Sequence, residues 1–126
     1  PIHPRTKNKL RNSNIKLCDN ILLLEPLPYL EFLGLMAKAK VVVTDSGGIQ
    51  EETTYLGVQC ITFRENTERP VTIDLGTNQL TGTNPTAVLN TYNKIMNGEI
   101  KKGTIPPKWD GNAGTRVAKI IEEFLN

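Results

Sequence analysis

A chain of 126 residues with 38% hydrophobic and 22% charged side chains is long enough to bury a core of its own without metal ions or disulfides. Its net charge of +2, from 15 Lys and Arg against 13 Asp and Glu, leaves no argument for a nucleic-acid partner. No apolar run reaches transmembrane length and no signal-peptide pattern is present, so neither nucleic acid nor membrane is an expected partner.

The chain opens on Pro1-Ile2-His3-Pro4 without Met, read as the end of a strand, and is expected to be part of a longer chain. Arg5 to Lys16 is the densest basic stretch. Asparagines interrupt it and no aromatics interleave, so it reads as a solvated loop or helix face. Ile21 to Leu24 is a continuous apolar run expected to be a strand, closed by Pro26 and Pro28. A helix is expected from Leu30 to Ala39, then a strand at Val41 to Val43, β-branched throughout as in a strand buried on both faces. That strand runs into Asp45-Ser46-Gly47-Gly48 and a helix from about Ile49 to Leu56, stopped by Gly57.

Cys60 to Phe63 reads as the next strand, with Cys60 as a buried free thiol. Cys18 lies in a polar stretch. No CxxC or Cys/His spacing points to a metal, and free thiols fit a reducing cytoplasm. A short helix is expected near Val71 to Leu75 and a small strand at Asn78 to Leu80. Ala87 to Met96 reads as a helix ended by Gly98. A Gly/Pro-rich connection leads to a last helix, Val117 to Leu125, whose apolar positions form one face. Strands alternating with helices imply a doubly wound parallel sheet, which binds ligands outside the carboxyl ends of its strands. No repeat, and no linker dividing the chain, is visible.

Thr44 to Glu52 carries the strongest local signal. A strand end delivers a hydroxyl and two glycines onto a helix N-terminus, where backbone N–H groups lack partners and the dipole favours an anion. Glycines let a diphosphate approach the backbone. A tight turn with Ser46 as a cap is the other reading, and both stand open on local pattern. The stretch is neither GxGxxG nor a Walker loop. Ile49, Glu52 and Leu56 share a helix face by spacing, so Glu52 is expected among apolar residues and in need of donors. Ribose hydroxyls would supply them, and so would Arg64 or Arg69. Glu51 is expected to be solvated.

Arg64 to Pro70 reads either as a loop-stabilising ion-pair network or as a source of Arg69 against phosphate. Tyr29 and Phe32 are core aromatics or a stacking surface for a base. His3, the sole histidine, reads as structural or cleft-facing, with no second histidine to build a metal site or a triad.

In this order, His3-Pro4-Arg5-Thr6, Glu25 to Phe32, Thr44 to Glu52, Arg64 to Pro70, Gly76-Thr77-Asn78 and Trp109 to Ala113 resemble the non-hydrolysing UDP-N-acetylglucosamine 2-epimerases. Asp-Ser-Gly-Gly-Ile-Gln-Glu-Glu with Thr-Glu-Arg-Pro downstream is the specific part. The resemblance implies an α/β fold, a Rossmann-like parallel sheet with helices on both faces, resembling the C-terminal half of a glycosyltransferase-B fold. Residues 1–126 would then be a partial C-terminal UDP-binding domain of a two-domain enzyme that lacks its N-terminal domain here.

By motif position, the resemblance implies that Ser46, Gly47 and Gly48 hold the diphosphate. Glu52 would hold the ribose hydroxyls, the Phe32 region would meet the uracil, and Arg69 would lie near the diphosphate or shape the cleft. It implies inversion at C2, interconverting UDP-GlcNAc and UDP-ManNAc by elimination and re-addition of UDP, with no metal or nicotinamide cofactor. No catalytic proton-transfer residue is assigned in this chain, and His3 does not inherit one. A cytoplasmic parent and a homodimer are further implied. Two other readings stay open: the nucleotide half of a UDP-sugar glycosyltransferase, and a non-catalytic UDP-binding module.

Overall fold

The computed structural model describes residues 1–126. The chain forms two compact units, Pro1–Leu35 and Met36–Asn126. The division falls inside a helix, where no linker composition marks it.

In the first unit, helix α1 (Pro4–Arg11) starts where the sequence pattern suggested the end of a strand. His3 is its N-cap: the imidazole Nδ1 accepts the Arg5 N–H at 3.2 Å, and Pro4 occupies a first-turn position that needs no N–H donor. Lys9 and Arg11 lie in its last turn, where the helix dipole favours cations. Lys7 pairs with Glu25, and its hydrogen bond and charge hold that carboxyl below the usual carboxylate range.

Ile21 to Leu24 is not a strand. The Ile2 N–H donates to the Leu24 carbonyl at 2.9 Å, one bond where a ladder was expected, and Leu22 is 77% exposed. An apolar run becomes a strand only when neighbouring chain satisfies its peptide groups. Helix α2 (Tyr29–Ala37) closes the unit and runs into the second.

The second unit is built on a three-stranded parallel sheet in the order β1 (Val41–Thr44), β2 (Gln59–Thr62), β3 (Asn78–Leu80). Val43 pairs in register with Ile61, and Cys60 with Asn78. The central strand β2 is buried along its whole length. Val43, on the edge strand, is 52% exposed, so the expected two-sided burial of the Val run does not hold. An edge strand has a neighbour on one side only.

Helix α3 (Gly47–Leu56) connects β1 to β2 and contacts all three strands. Gly57 ends it in the left-handed conformation, φ 70°, that a residue without Cβ adopts at low cost. Helix α4 (Pro70–Asp74) packs by β3, and α5 (Pro85–Met96) by β2. Asn84 caps α5 by accepting the Thr86 N–H at 2.8 Å.

Side chains alternate across a strand. Thr62 and Asn78, bonded to each other, belong to the α3 side of the sheet, with Asn78 reaching Gln50. Val43 and Phe63 line an apolar groove of about 450 Å³ with Pro85, Val88, Leu89 and Tyr92 of α5. Helices therefore cover both faces, as the alternating pattern predicts.

Helix α6 (Ala113–Leu125) has the expected apolar face, but that face is not buried: Ile120 is 65% and Phe124 88% exposed. Its first turn is anchored by Arg116, whose guanidinium reaches Asp110 at 2.9 and 3.0 Å and the Lys108 carbonyl at 2.8 Å. The Arg116 hydrogen bonds and the Asn112 N–H hold the Asp110 carboxyl well below the usual range. A depressed carboxylate stabilises the fold above its unfolded value, about 4, and that contribution is lost as pH falls through the folded value. Acidification below pH about 4 is expected to lower the amide protection factors at 116 and 117, each rate being referred to intrinsic exchange at the same pH. Asp110→Asn should show the lower protection already at neutral pH, and a wild-type exchange pattern in that variant would contradict the anchor.

Cys60 is fully buried and Cys18 exposed, both as free thiols. Burial pushes the Cys60 thiol up, outweighing hydrogen bonds from Thr53 and Thr62. A maleimide should label Cys18 in the native chain and Cys60 only after unfolding, read by mass spectrometry of the labelled peptides.

Candidate functional site

The β1–α3 junction presents a helix terminus at the carboxyl edge of the sheet. Thr44 ends the strand, and its hydroxyl accepts the Ser46 N–H at 3.1 Å, tightening the turn. Ser46 is the N-cap with extended backbone, φ −84° and ψ 130°, yet its hydroxyl makes no capping bond. No acidic side chain lies in the first turn. Ser46 and Gly48 are exposed and Gly47 half-buried.

A Cβ built on Gly47 or Gly48 would meet no atom within 4 Å. Packing within the chain therefore does not require glycine at either position. Their missing side chains instead leave the positive end of the helix dipole approachable by an anion.

The inward stripe of α3 is rotated from the one expected. Gln50, Thr53 and Thr54 are the buried positions, while Ile49, Glu52 and Leu56 are each half-buried. Glu52 thus stands with Ile49 and Leu56 at the border of the packed face. It forms no ion pair with Arg64 or Arg69. Arg64 pairs instead with Glu68 at 3.5 Å, and Arg69 with Glu51 at 3.0 Å. Glu51, expected to be solvated, is the residue that draws Arg69 onto α3.

The Arg69 Nε makes no directed hydrogen bond in that contact, so it is charge pairing between two groups that are each 40% exposed. Such a pair is worth little to stability; it places the guanidinium beside Glu51 on α3. Glu51 is four residues beyond Gly47, about 6 Å along the helix axis. Ser46, Gly47, Gly48, Glu52 and Arg69 therefore gather on or against one helix. Phe32 belongs to the first unit, half-buried on α2.

Beneath this surface lie buried polar residues that no apolar pattern marks. Gln50 Oε1 accepts the Thr67 hydroxyl at 2.6 Å and the Asn78 amide at 3.2 Å. That pair of donors fixes which way the Gln50 amide points. Thr67 Oγ1 accepts the Arg69 N–H at 3.0 Å. The Thr72 hydroxyl donates to the Arg69 carbonyl at 2.7 Å and accepts from Asn78 Nδ2 at 3.0 Å. Asn78 Oδ1 accepts the Thr62 hydroxyl at 2.6 Å.

The available signal was the stripe Gln50, Thr53, Thr54 at helical spacing. It looks solvent-facing until strands bearing Thr62 and Asn78 supply its partners. On the same loop, Glu65 accepts the Thr83 N–H at 3.0 Å and hydroxyl at 2.6 Å, bonds that hold its carboxyl below the usual range. No group of three or more His, Cys, Asp or Glu is arranged to hold a metal, and no helix is long and apolar enough to cross a membrane.

Residues 1–122 match the family model described as UDP-N-acetylglucosamine 2-epimerase. A protein of that name from Methanococcus maripaludis is 45% identical over 125 residues, 96% of this chain and 34% of the relative. Its counterpart from Methanocaldococcus jannaschii is 43% identical, over 95% of this chain and 33% of the relative. The crystal structure of M. jannaschii UDP-GlcNAc 2-epimerase in complex with UDP-GlcNAc and UDP superposes with a TM-score of 0.76 at 39% identity, over 96% of this chain and 34% of that one. The chain thus spans about a third of the length of the relatives it matches. With the β1–α3 glycine turn in its sequence and a parallel sheet behind it, this chain belongs to the UDP-N-acetylglucosamine 2-epimerase family.

Proposed function

We propose that this chain is the nucleotide-binding portion of a two-domain enzyme that interconverts UDP-GlcNAc and UDP-ManNAc by inversion at C2. The observation that carries the reading is the unobstructed α3 terminus at Ser46, Gly47 and Gly48, with the Arg69 guanidinium about one turn away. The backbone N–H groups and the Ser46 hydroxyl hold the diphosphate, and Arg69 adds a cation with a planar donor fork. Glu52, half-buried in the second turn of the helix, accepts from the ribose hydroxyls. Family membership supports a UDP-sugar site, as does the relative solved with UDP-GlcNAc and UDP.

In this reading the C1–O bond to UDP breaks as the C2 proton is removed, leaving a C1=C2 enol ether; UDP then adds back at C1 as a proton returns to C2 on the opposite face. Negative charge grows on the departing diphosphate, so donors and dipole aimed at it stabilise the transition state. The residues of this chain bind and retain UDP; the proton acceptor and donor at C2 come from the N-terminal domain. The parent is a cytoplasmic homodimer.

Incubating the full-length enzyme with UDP-GlcNAc in D₂O tests the reaction. The expected result is UDP-ManNAc at equilibrium with UDP-GlcNAc, and deuterium at C2 in both. Transfer of the sugar to an acceptor without C2 exchange would make the protein a glycosyltransferase. Tight UDP binding without either reaction would make it a binding module.

A further inference from the structure

We propose that Thr67 and Asn78 are positioning residues that set Arg69 for the diphosphate, acting through a closed ring of hydrogen bonds around the Arg69 backbone. The proposal rests on the UDP-site reading above. The ring runs from Gln50 Oε1 to the Thr67 hydroxyl, on to the Arg69 N–H, through that residue to its carbonyl, then to the Thr72 hydroxyl, Asn78 Nδ2 and back to Gln50 Oε1. Both peptide groups that flank the Arg69 Cα are thereby held by threonine hydroxyls, and both hydroxyls are referred to one buried amide pair.

Gln50, Thr72 and Asn78 are each fully buried, so the ring works in a medium where an unmade bond costs more than in water. Gln50 lies on α3, Asn78 opens β3 and Thr72 lies on α4. The ring ties a loop residue to three rigid elements. Arg69 itself is in an irregular conformation, φ −124° and ψ 56°, which neither a helix nor a strand would hold.

The outer contact cannot do this alone. The Glu51 pairing is half-exposed and undirected, and an exposed ion pair restrains a long side chain weakly. Any diphosphate at the α3 terminus would also compete with Glu51 for the guanidinium. Fixing the backbone lets Arg69 exchange partners without losing its place, which lowers the ordering cost of binding.

A double-mutant cycle in the full-length enzyme tests this, reading UDP and uridine affinity by calorimetry for Thr67→Val, Thr67→Ser, Arg69→Ala and Thr67→Val with Arg69→Ala. Valine keeps the shape of threonine and removes the hydroxyl, leaving the Arg69 N–H without its acceptor. We expect Thr67→Val to weaken UDP about five- to tenfold, within the range for one net neutral hydrogen bond, with uridine affinity unchanged. Thr67→Ser should restore UDP affinity, and Thr67→Val should cost nothing further once Arg69 is alanine.

Equal losses for UDP and uridine would show a general structural role and overturn the proposal, as would an undiminished loss in the Arg69→Ala background. If Arg69→Ala leaves the UDP-to-uridine ratio unchanged, Arg69 does not meet the diphosphate, and the site reading for that residue fails together with its positioning. Uridine affinity retained in each variant shows that the site is folded in that comparison.

Discussion

Gly47→Val is expected to weaken UDP binding about 100-fold while changing uridine affinity less than threefold, a selective loss of about 2.7 kcal/mol. The first-turn N–H groups of α3 face outward, and a Cβ on Gly47 meets nothing of the chain itself within 4 Å. The side chain therefore costs the fold little. What it occupies is the approach to the helix terminus. An anion kept a few tenths of a nanometre further out loses charge-assisted hydrogen bonds worth about 1.5–3 kcal/mol each, whereas uridine has no phosphate to lose. Parallel calorimetric titrations with UDP and uridine, with thermal melting as a fold control, check the result. Equal losses for the two ligands would remove the phosphate from this turn.

Gly76→Ala is expected to act on stability instead, lowering it by about 3 kcal/mol. A Cβ at Gly76 would lie 2.3 Å from Thr54 Oγ1, 2.5 Å from Thr54 Cγ2 and 2.6 Å from the Thr72 carbonyl oxygen. The threonine side chain can turn away, but the carbonyl is part of α4 and cannot. Adding Thr54→Ala should recover only part of the loss, because the Thr72 contact remains. For a domain of this size the single substitution should lower Tm by on the order of 10–20 °C. The close approach brings α3, α4 and the start of β3 together under the proposed site, so UDP affinity should fall with stability in this variant. Urea denaturation of parent, single and double variants measures it, and a Gly76→Ala midpoint equal to the parent's would contradict the packing.

How legible the molecule was in its sequence depended on whether the signal was local. The Val41–Thr44 strand, the stop at Gly57 and the small strand Asn78–Leu80 follow from β-branched runs and glycine punctuation, and each stands within a residue or two of its expected place. Helix starts were read late. Gly47 and Gly48 are poor helix formers, as is Gly114, yet each lies in the first turn of a helix, where propensity alone does not place it. The Asn84–Pro85 pair was an available start signal for α5.

Ile21 to Leu24 failed for a non-local reason, since a strand depends on its neighbours and an apolar tetrapeptide does not carry them. At the site, the glycine turn was legible because its meaning lies in consecutive residues. The partner of Arg69 was not: Glu51 and Glu52 are adjacent and equally charged, and only the rotation of α3 about its axis decides between them. That rotation turns Gln50 inward to accept from Asn78 on β3 and Thr67 in the 64–72 segment, while the buried Thr53 hydroxyl donates back to the Ile49 carbonyl. A polar inward face is invisible to a search for apolar periodicity.

The measurement closest to the central claim is a calorimetric titration of these 126 residues with UDP, set beside UMP, uridine and ADP, and repeated with Glu52→Gln. The account predicts that UDP binds more tightly than UMP or uridine, that ADP binds weakly, and that Glu52→Gln weakens UDP and uridine alike. A folded chain that binds ADP as well as UDP, or that binds UDP no better than uridine, would contradict a UDP site built on the α3 terminus.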